Sequence, residues 1–99
     1  MKKGDKLFVR TDYKVQGTKV EASDFNDHVE YLKGISDERY FIGGGFLNRD
    51  GGMIVFEAKD LEEAKEISDK DPIIKRGFYT YELNEWELVI ISDKLYKNN

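Results

Sequence analysis

Asp71-Pro72-Ile73-Ile74-Lys75-Arg76-Gly77-Phe78-Tyr79 is the stretch on which the reading of the whole chain turns. Pro72 is the only proline. Its ring clashes with helical geometry at the residue before it, so Asp71 is driven toward extended backbone and the helix upstream must stop there. The pattern predicts a carboxylate held at a helix end, on a short rigid connector into the last strand. The only histidine, His28, falls on the apolar side of the first predicted helix. A fold that brings His28 and Asp71 together makes a proton-transfer pair. The plainer alternative is that Asp-Pro merely stops a helix and His28 is a buried helix residue.

Just upstream, Asp60-Leu61-Glu62-Glu63 reads as a capping box, with Asp60 as the cap and Glu63 three residues on. Leu61, Ala64, Ile67 and Ser68 are expected to face a sheet, and the charges between them to face water. Downstream, Phe78 to Ile91 reads as one long strand. Tyr79, Tyr81 and Leu83 alternate in one phase and Trp86, Leu88 and Ile90 in the other, so a bulge or break is expected at Asn84-Glu85. From Ser92 to Asn99 the chain is a polar tail, expected to be ordered only as far as Leu95 and Tyr96.

The first half supplies the remaining elements. Asp5 to Val15 alternates with period two, Leu7, Val9, Thr11 and Tyr13 pointing one way and Phe8, Arg10 and Asp12 the other. Ser23 or Asp24 can cap a helix running from about Asp24 to Gly34. Phe25, His28, Val29, Leu32 and Ile35 form its apolar stripe. Tyr40 to Leu47 is a strand interrupted by Gly43-Gly44-Gly45, read either as a cavity wall without side chains or as a bend. No Gly-Lys-Ser/Thr follows, so the glycines are not a phosphate loop. Asn48 to Gly52 is a hairpin turn and Met53 to Ala58 the next strand. The order β-α-β-β-α-β predicts a single ferredoxin-like α+β domain over residues 1–99. Two helices cover one face of its four-stranded antiparallel sheet, and the other face pairs sheet-to-sheet in a homodimer.

The chain has 99 residues, a net charge of −4 and a pI near 5.0. Its basic residues are scattered, which argues against nucleic acid and against an anionic membrane surface. Without cysteine there are no disulfides, thiol nucleophiles or thiolate metal sites. The longest apolar run, Leu88-Val89-Ile90-Ile91, is far too short to span a membrane, so a cytoplasmic protein is expected.

Several pieces in order resemble the YciI-like (YCII-related) family of the dimeric α/β-barrel group. They are His28-Val29-Glu30-Tyr31-Leu32, Tyr40 to Phe46, Glu57 to Ala64, Asp71-Pro72 followed by Gly77, and Glu82 to Trp86. Where that family carries Gly-Pro in its second strand, this chain has Gly45-Phe46. The resemblance implies a ferredoxin-like fold, a homodimer, and an active site centred on a His/Asp pair, here His28 and Asp71. Most members of that family have no assigned function, and some look like small enzymes acting on ring compounds such as chlorinated hydroquinones.

An imidazole near neutral pH gives or takes protons readily, which suits general acid/base work. No serine lies in a nucleophile elbow, and one His with one Asp is a poor metal site. No cofactor is expected. The chemistry the residues permit is isomerisation, elimination or lyase chemistry on a small cyclic or aromatic compound. Gly44, Gly45, Phe46, Tyr31 and Trp86 are the expected substrate contacts. The rival reading is a dimeric domain that binds a small ligand without turning it over.

Overall fold

The computed structural model describes residues 1–95. Their elements are β1 (Lys6–Lys14), α1 (Ala22–Ser36), β2 (Phe41–Gly45), β3 (Gly52–Phe56), α2 (Leu61–Asp69), α3 (Pro72–Lys75) and β4 (Tyr79–Glu87), followed by a 3-10 turn at Asp93–Leu95. The strands lie in the order β2-β3-β1-β4 and every pairing is antiparallel. This is the α+β, ferredoxin-like arrangement expected. Among the described residues no helix is long and apolar enough to cross a membrane. Tyr96, the expected limit of order, and the rest of the tail lie outside the described residues.

Paired residues on neighbouring strands share a face. One row therefore runs Leu83, Arg10, Ile54, Gly43 across all four strands. That side of the sheet carries the core. Phe8, Ile54 and Phe56 pack there beneath Leu32 of α1 and Ala64 and Ile67 of α2. Burying each of the large apolar side chains contributes about 1.5–3 kcal/mol relative to leaving it exposed. The opposite side is open, and Tyr13, Ile42, Met53 and Trp86 are all exposed on it.

Several local expectations are corrected. α1 begins at Ala22, with Glu21 rather than Ser23 or Asp24 at the cap. Asp24 is instead the third helical residue, where its carboxylate accepts the Glu21 N–H at 3.1 Å. Leu61, expected against the sheet, is exposed in the first turn of α2. Asp60 does cap that helix, accepting the Glu63 N–H at 2.9 Å, while Glu63 reaches past it to the Lys59 N–H at 2.8 Å.

β4 has no bulge. It pairs with β1 in one unbroken register from Lys6↔Glu87 to Lys14↔Tyr79. The change of apolar phase arises because its first half feeds the helix-covered face, whereas Trp86 pairs with Leu7 on the other. β4 also ends at Glu87, short of Ile91. The short connector after Asp71 is a single helical turn, α3. Pro72 occupies the first position of α3, where a missing N–H removes no helical bond. Gly77, at φ +80°, then turns the chain into β4.

Gly51 closes the β2–β3 hairpin at φ +100°, and a Cβ there would lie 2.2 Å from the Asp12 carbonyl oxygen. Gly34, by contrast, sits in α1 with open space around its Cα. Gly51→Ala is expected to destabilise the fold by about 2–3 kcal/mol, lowering the melting temperature by roughly 10–20 °C. Gly34→Ala should raise it by several degrees, since alanine is favoured over glycine within a helix by about 0.5–1 kcal/mol. Thermal denaturation of the two variants checks both signs.

Candidate active site

The chemistry-bearing residues are delivered by three different parts of the fold. β1 places Arg10 and Asp12 two residues apart on the helix-covered face. α1 supplies His28 from its middle. The α2–α3 junction supplies Asp71, whose backbone is held at φ −63° and ψ 127°, the extended conformation that a following proline enforces.

Asp71 is fully buried. Its side chain accepts the Ile73 N–H at 3.2 Å, the usual capping bond of a helix start. It accepts a second bond from Arg10 Nη2 at 2.9 Å. His28 Nδ1 lies 2.8 Å from both carboxylate oxygens. Arg10, also fully buried, donates from Nε and Nη2 to the two oxygens of Asp12 at 2.7 and 2.8 Å. Burial opposes the Arg10 charge, but its bonds to Asp12 and the charges of Asp12 and Asp71 outweigh that and hold its pKa above the ordinary value. A fork of this geometry suits guanidinium and not ammonium.

A carboxylate facing a guanidinium is an acceptor only. The imidazole must therefore supply the proton of the His28–Asp71 bond, which puts hydrogen on Nδ1. Nε2 has no hydrogen-bond partner among the described residues. Arg76, just beyond α3, clamps the arrangement from outside by pairing with Asp24 at 2.8 Å and Asp27 at 2.9 Å on α1.

His28 lines a cavity of about 640 Å³ between α1 and the β2–β3 end of the sheet. Phe25, Val29, Leu32 and Ile54 give it a largely apolar wall. Gly43, Gly44 and Gly45 lie along its edge, and a Cβ at Gly43 would meet the Ile54 side chain at 2.6 Å. Phe25, first of the helix-1 stripe, is exposed rather than buried and stacks 5.7 Å from the His28 ring.

Three of the expected contacts do not line the cavity. Tyr31 leans toward α2 and donates its hydroxyl to the Ile67 carbonyl at 2.7 Å. Phe46 lies at the hairpin, under the Arg49 guanidinium at 4.1 Å. Trp86 is on the open face of the sheet, opposite Leu7. Sequence reasoning missed Arg10 and Asp12, although two opposite charges in phase with Phe8 were a usable sign. It also took Tyr79, a cavity-lining residue, for a strand residue only.

A model of the YCII-related domain matches residues 7–87. The chain belongs to the YCII-related family. One relative is the uncharacterized protein YjpA of Bacillus subtilis, 37% identical over 62 residues that span 62% of this chain and 73% of YjpA. Among solved structures, the chain is similar to 5-chloro-2-hydroxyhydroquinone dehydrochlorinase (TftG) of Burkholderia phenoliruptrix, determined with 2,5-dihydroxybenzoquinone bound. The TM-score is 0.71 at 21% identity, over 82% of this chain and 93% of that one. The two proteins share the same four-stranded antiparallel α+β fold.

The network predicts unequal roles in stability. Asp71→Ala breaks a fully buried ion pair and removes the acceptor of the Arg10 Nη2, His28 Nδ1 and Ile73 N–H bonds. It should therefore destabilise by about 3–5 kcal/mol, lowering the melting temperature by more than roughly 12 °C. His28→Ala leaves Asp71 bonded to Arg10 and the Ile73 N–H, so it should lose only about 1 kcal/mol. Equal losses in thermal denaturation would contradict this division.

Proposed function

We propose that the protein is a small enzyme that moves protons on a ring compound bound beside His28. The observation that carries the reading is the His28 ring itself. Nδ1 is fixed by a buried carboxylate at 2.8 Å, while Nε2 is unpartnered on a residue lining a largely apolar cavity. A cavity of about 640 Å³ is of the size that small-molecule sites occupy.

In this reading His28 Nε2 takes a proton from a ring C–H or O–H, and Asp71 stabilises the imidazolium that forms. Returning that proton to another ring atom completes an isomerisation. On a chlorinated polyhydroxybenzene, moving a hydroxyl proton to the chlorine-bearing carbon forms one ring C=O. A second hydroxyl then gives up its proton to form the other C=O as the C–Cl bond breaks, so HCl is released and the ring ends as a quinone. The likeness to TftG, a dehydrochlorinase by its description, supports chlorinated polyhydroxybenzenes as the first substrate class to try.

For assembly we propose a homodimer through the open sheet face. Ile42, Met53, Tyr13 and Trp86 are exposed there, with Val9 and Val55 half-buried among them. An apolar surface of this kind on a soluble chain marks an interaction site.

Incubation with 5-chloro-2-hydroxyhydroquinone and related chlorinated di- and trihydroxybenzenes should release chloride. His28→Ala should slow that release by about 10²-fold or more, the scale of a lost acid/base group. Undiminished turnover in His28→Ala would sink the mechanism. In sedimentation at micromolar concentration the chain should run at twice its 11.5 kDa mass. Replacing Ile42 and Met53 together by aspartate should return it to a monomer.

A further inference from the structure

We infer that Tyr79 is a second polar anchor of the cavity, its hydroxyl donating a hydrogen bond to an oxygen on the ligand ring while His28 acts at another. This rests on the reading of the cavity as a ring-binding site. It narrows the ligand class to rings with at least two oxygen substituents.

The inference comes from an inventory of the polar groups around the cavity. Both oxygens of Asp12 are occupied by Arg10. The Ser36 hydroxyl donates to the Lys33 carbonyl at 2.7 Å. Glu21 and Lys33 are exposed and have partners at the surface in Lys19 and Glu30, at 3.9 and 4.0 Å. Two lining side-chain groups then remain without any partner among the described residues: Nε2 of His28 and the hydroxyl of Tyr79.

The other two half-buried tyrosines among the described residues use their hydroxyls within the fold. Tyr31 donates to the Ile67 carbonyl and Tyr81 to Asp69, each at 2.7 Å. Tyr79 is half-buried in the same way but lacks a partner, and it is the one of the three that lines the cavity. Burial, and after it the negative charges of Asp50 and Asp12, raises its pKa, so the phenol keeps its proton and serves as a donor. It also comes from the stretch that supplies Asp71. α3 and the Phe78 N–H bond to the Ile73 carbonyl, 3.1 Å, set the start of β4 at Tyr79. Asp71 holds His28 from α1, and eight residues later the same segment places a donor on the sheet side.

The test is a titration, followed by ligand-observed NMR, of wild type, His28→Ala and Tyr79→Phe with phenol and with 1,2-, 1,3- and 1,4-dihydroxybenzene. Wild type should bind at least one diol about tenfold more tightly than phenol, the scale of one added hydrogen bond. Tyr79→Phe should abolish that margin and leave phenol affinity and the melting temperature unchanged. His28→Ala should weaken all four. A wild type without preference for any diol, a margin that survives in Tyr79→Phe, or a marked fall in its melting temperature overturns the role of Tyr79 alone. Absence of binding of all four to wild type overturns the ring-binding reading with it.

Discussion

The structure depends on one buried carboxylate. Asp71 has no exposed surface, and an ion removed from water needs its charge and its lone pairs answered locally. The answers come from β1 through Arg10, from α1 through His28, and from its own helix start through the Ile73 N–H. Moving β1 from its place would take away the one cation that faces Asp71 directly, while moving α1 would cost it only the imidazole bond. Fold and site are therefore the same problem here. The sheet, the long helix and the α2–α3 junction must all be docked before the network closes, and once it closes the imidazole has one orientation.

Arg10 and Asp12 make this arrangement tolerable. A lone guanidinium would neutralise Asp71 and compete with His28 for its oxygens. Asp12 takes one donor from Nε and one from Nη2, Nη2 gives its other bond to Asp71 at 2.9 Å, and Nη1 stays buried without a partner. Across the three buried side chains the formal charge is one negative unit, the amount that an imidazolium at His28 would balance. The device is built on a strand interior, the most rigid part of the molecule, which suits a group whose job is to hold another in place.

Much of the architecture was readable in the order of periodicities, because each element carries a signal of its own. The Asp-Pro pair fixed the backbone of Asp71 by local sterics, and the helix-1 stripe fixed the side of His28. Their juxtaposition was therefore legible before any coordinates. Arg10 and Asp12 were not read as buried, because charge on a strand is taken for the solvent face by default. Here Leu7 and Val9 of β1 lie on the side away from the helices, and Arg10 and Asp12 lie inward with Phe8. Tyr31, Phe46 and Trp86 lie away from the cavity for a different reason. Aromatic character marks burial or an interface but not a direction. For Trp86 the direction is set by the unbroken register of β4, in place of the bulge expected at Asn84-Glu85. Gly44 and Gly45 line the cavity as expected, since missing side chains leave space whichever way the strand faces.

Because His28 is the only histidine, its side chain can be observed without interference. Long-range proton–nitrogen NMR of the imidazole, recorded above the pH at which it becomes neutral, reports which ring nitrogen holds the hydrogen. If Asp71 orients His28 as described, the neutral ring is the Nδ1–H tautomer, Nε2 shows the shift of an unprotonated nitrogen, and Asp71→Asn disturbs this state. A neutral ring protonated on Nε2, or one averaging freely between the two forms, would contradict the account.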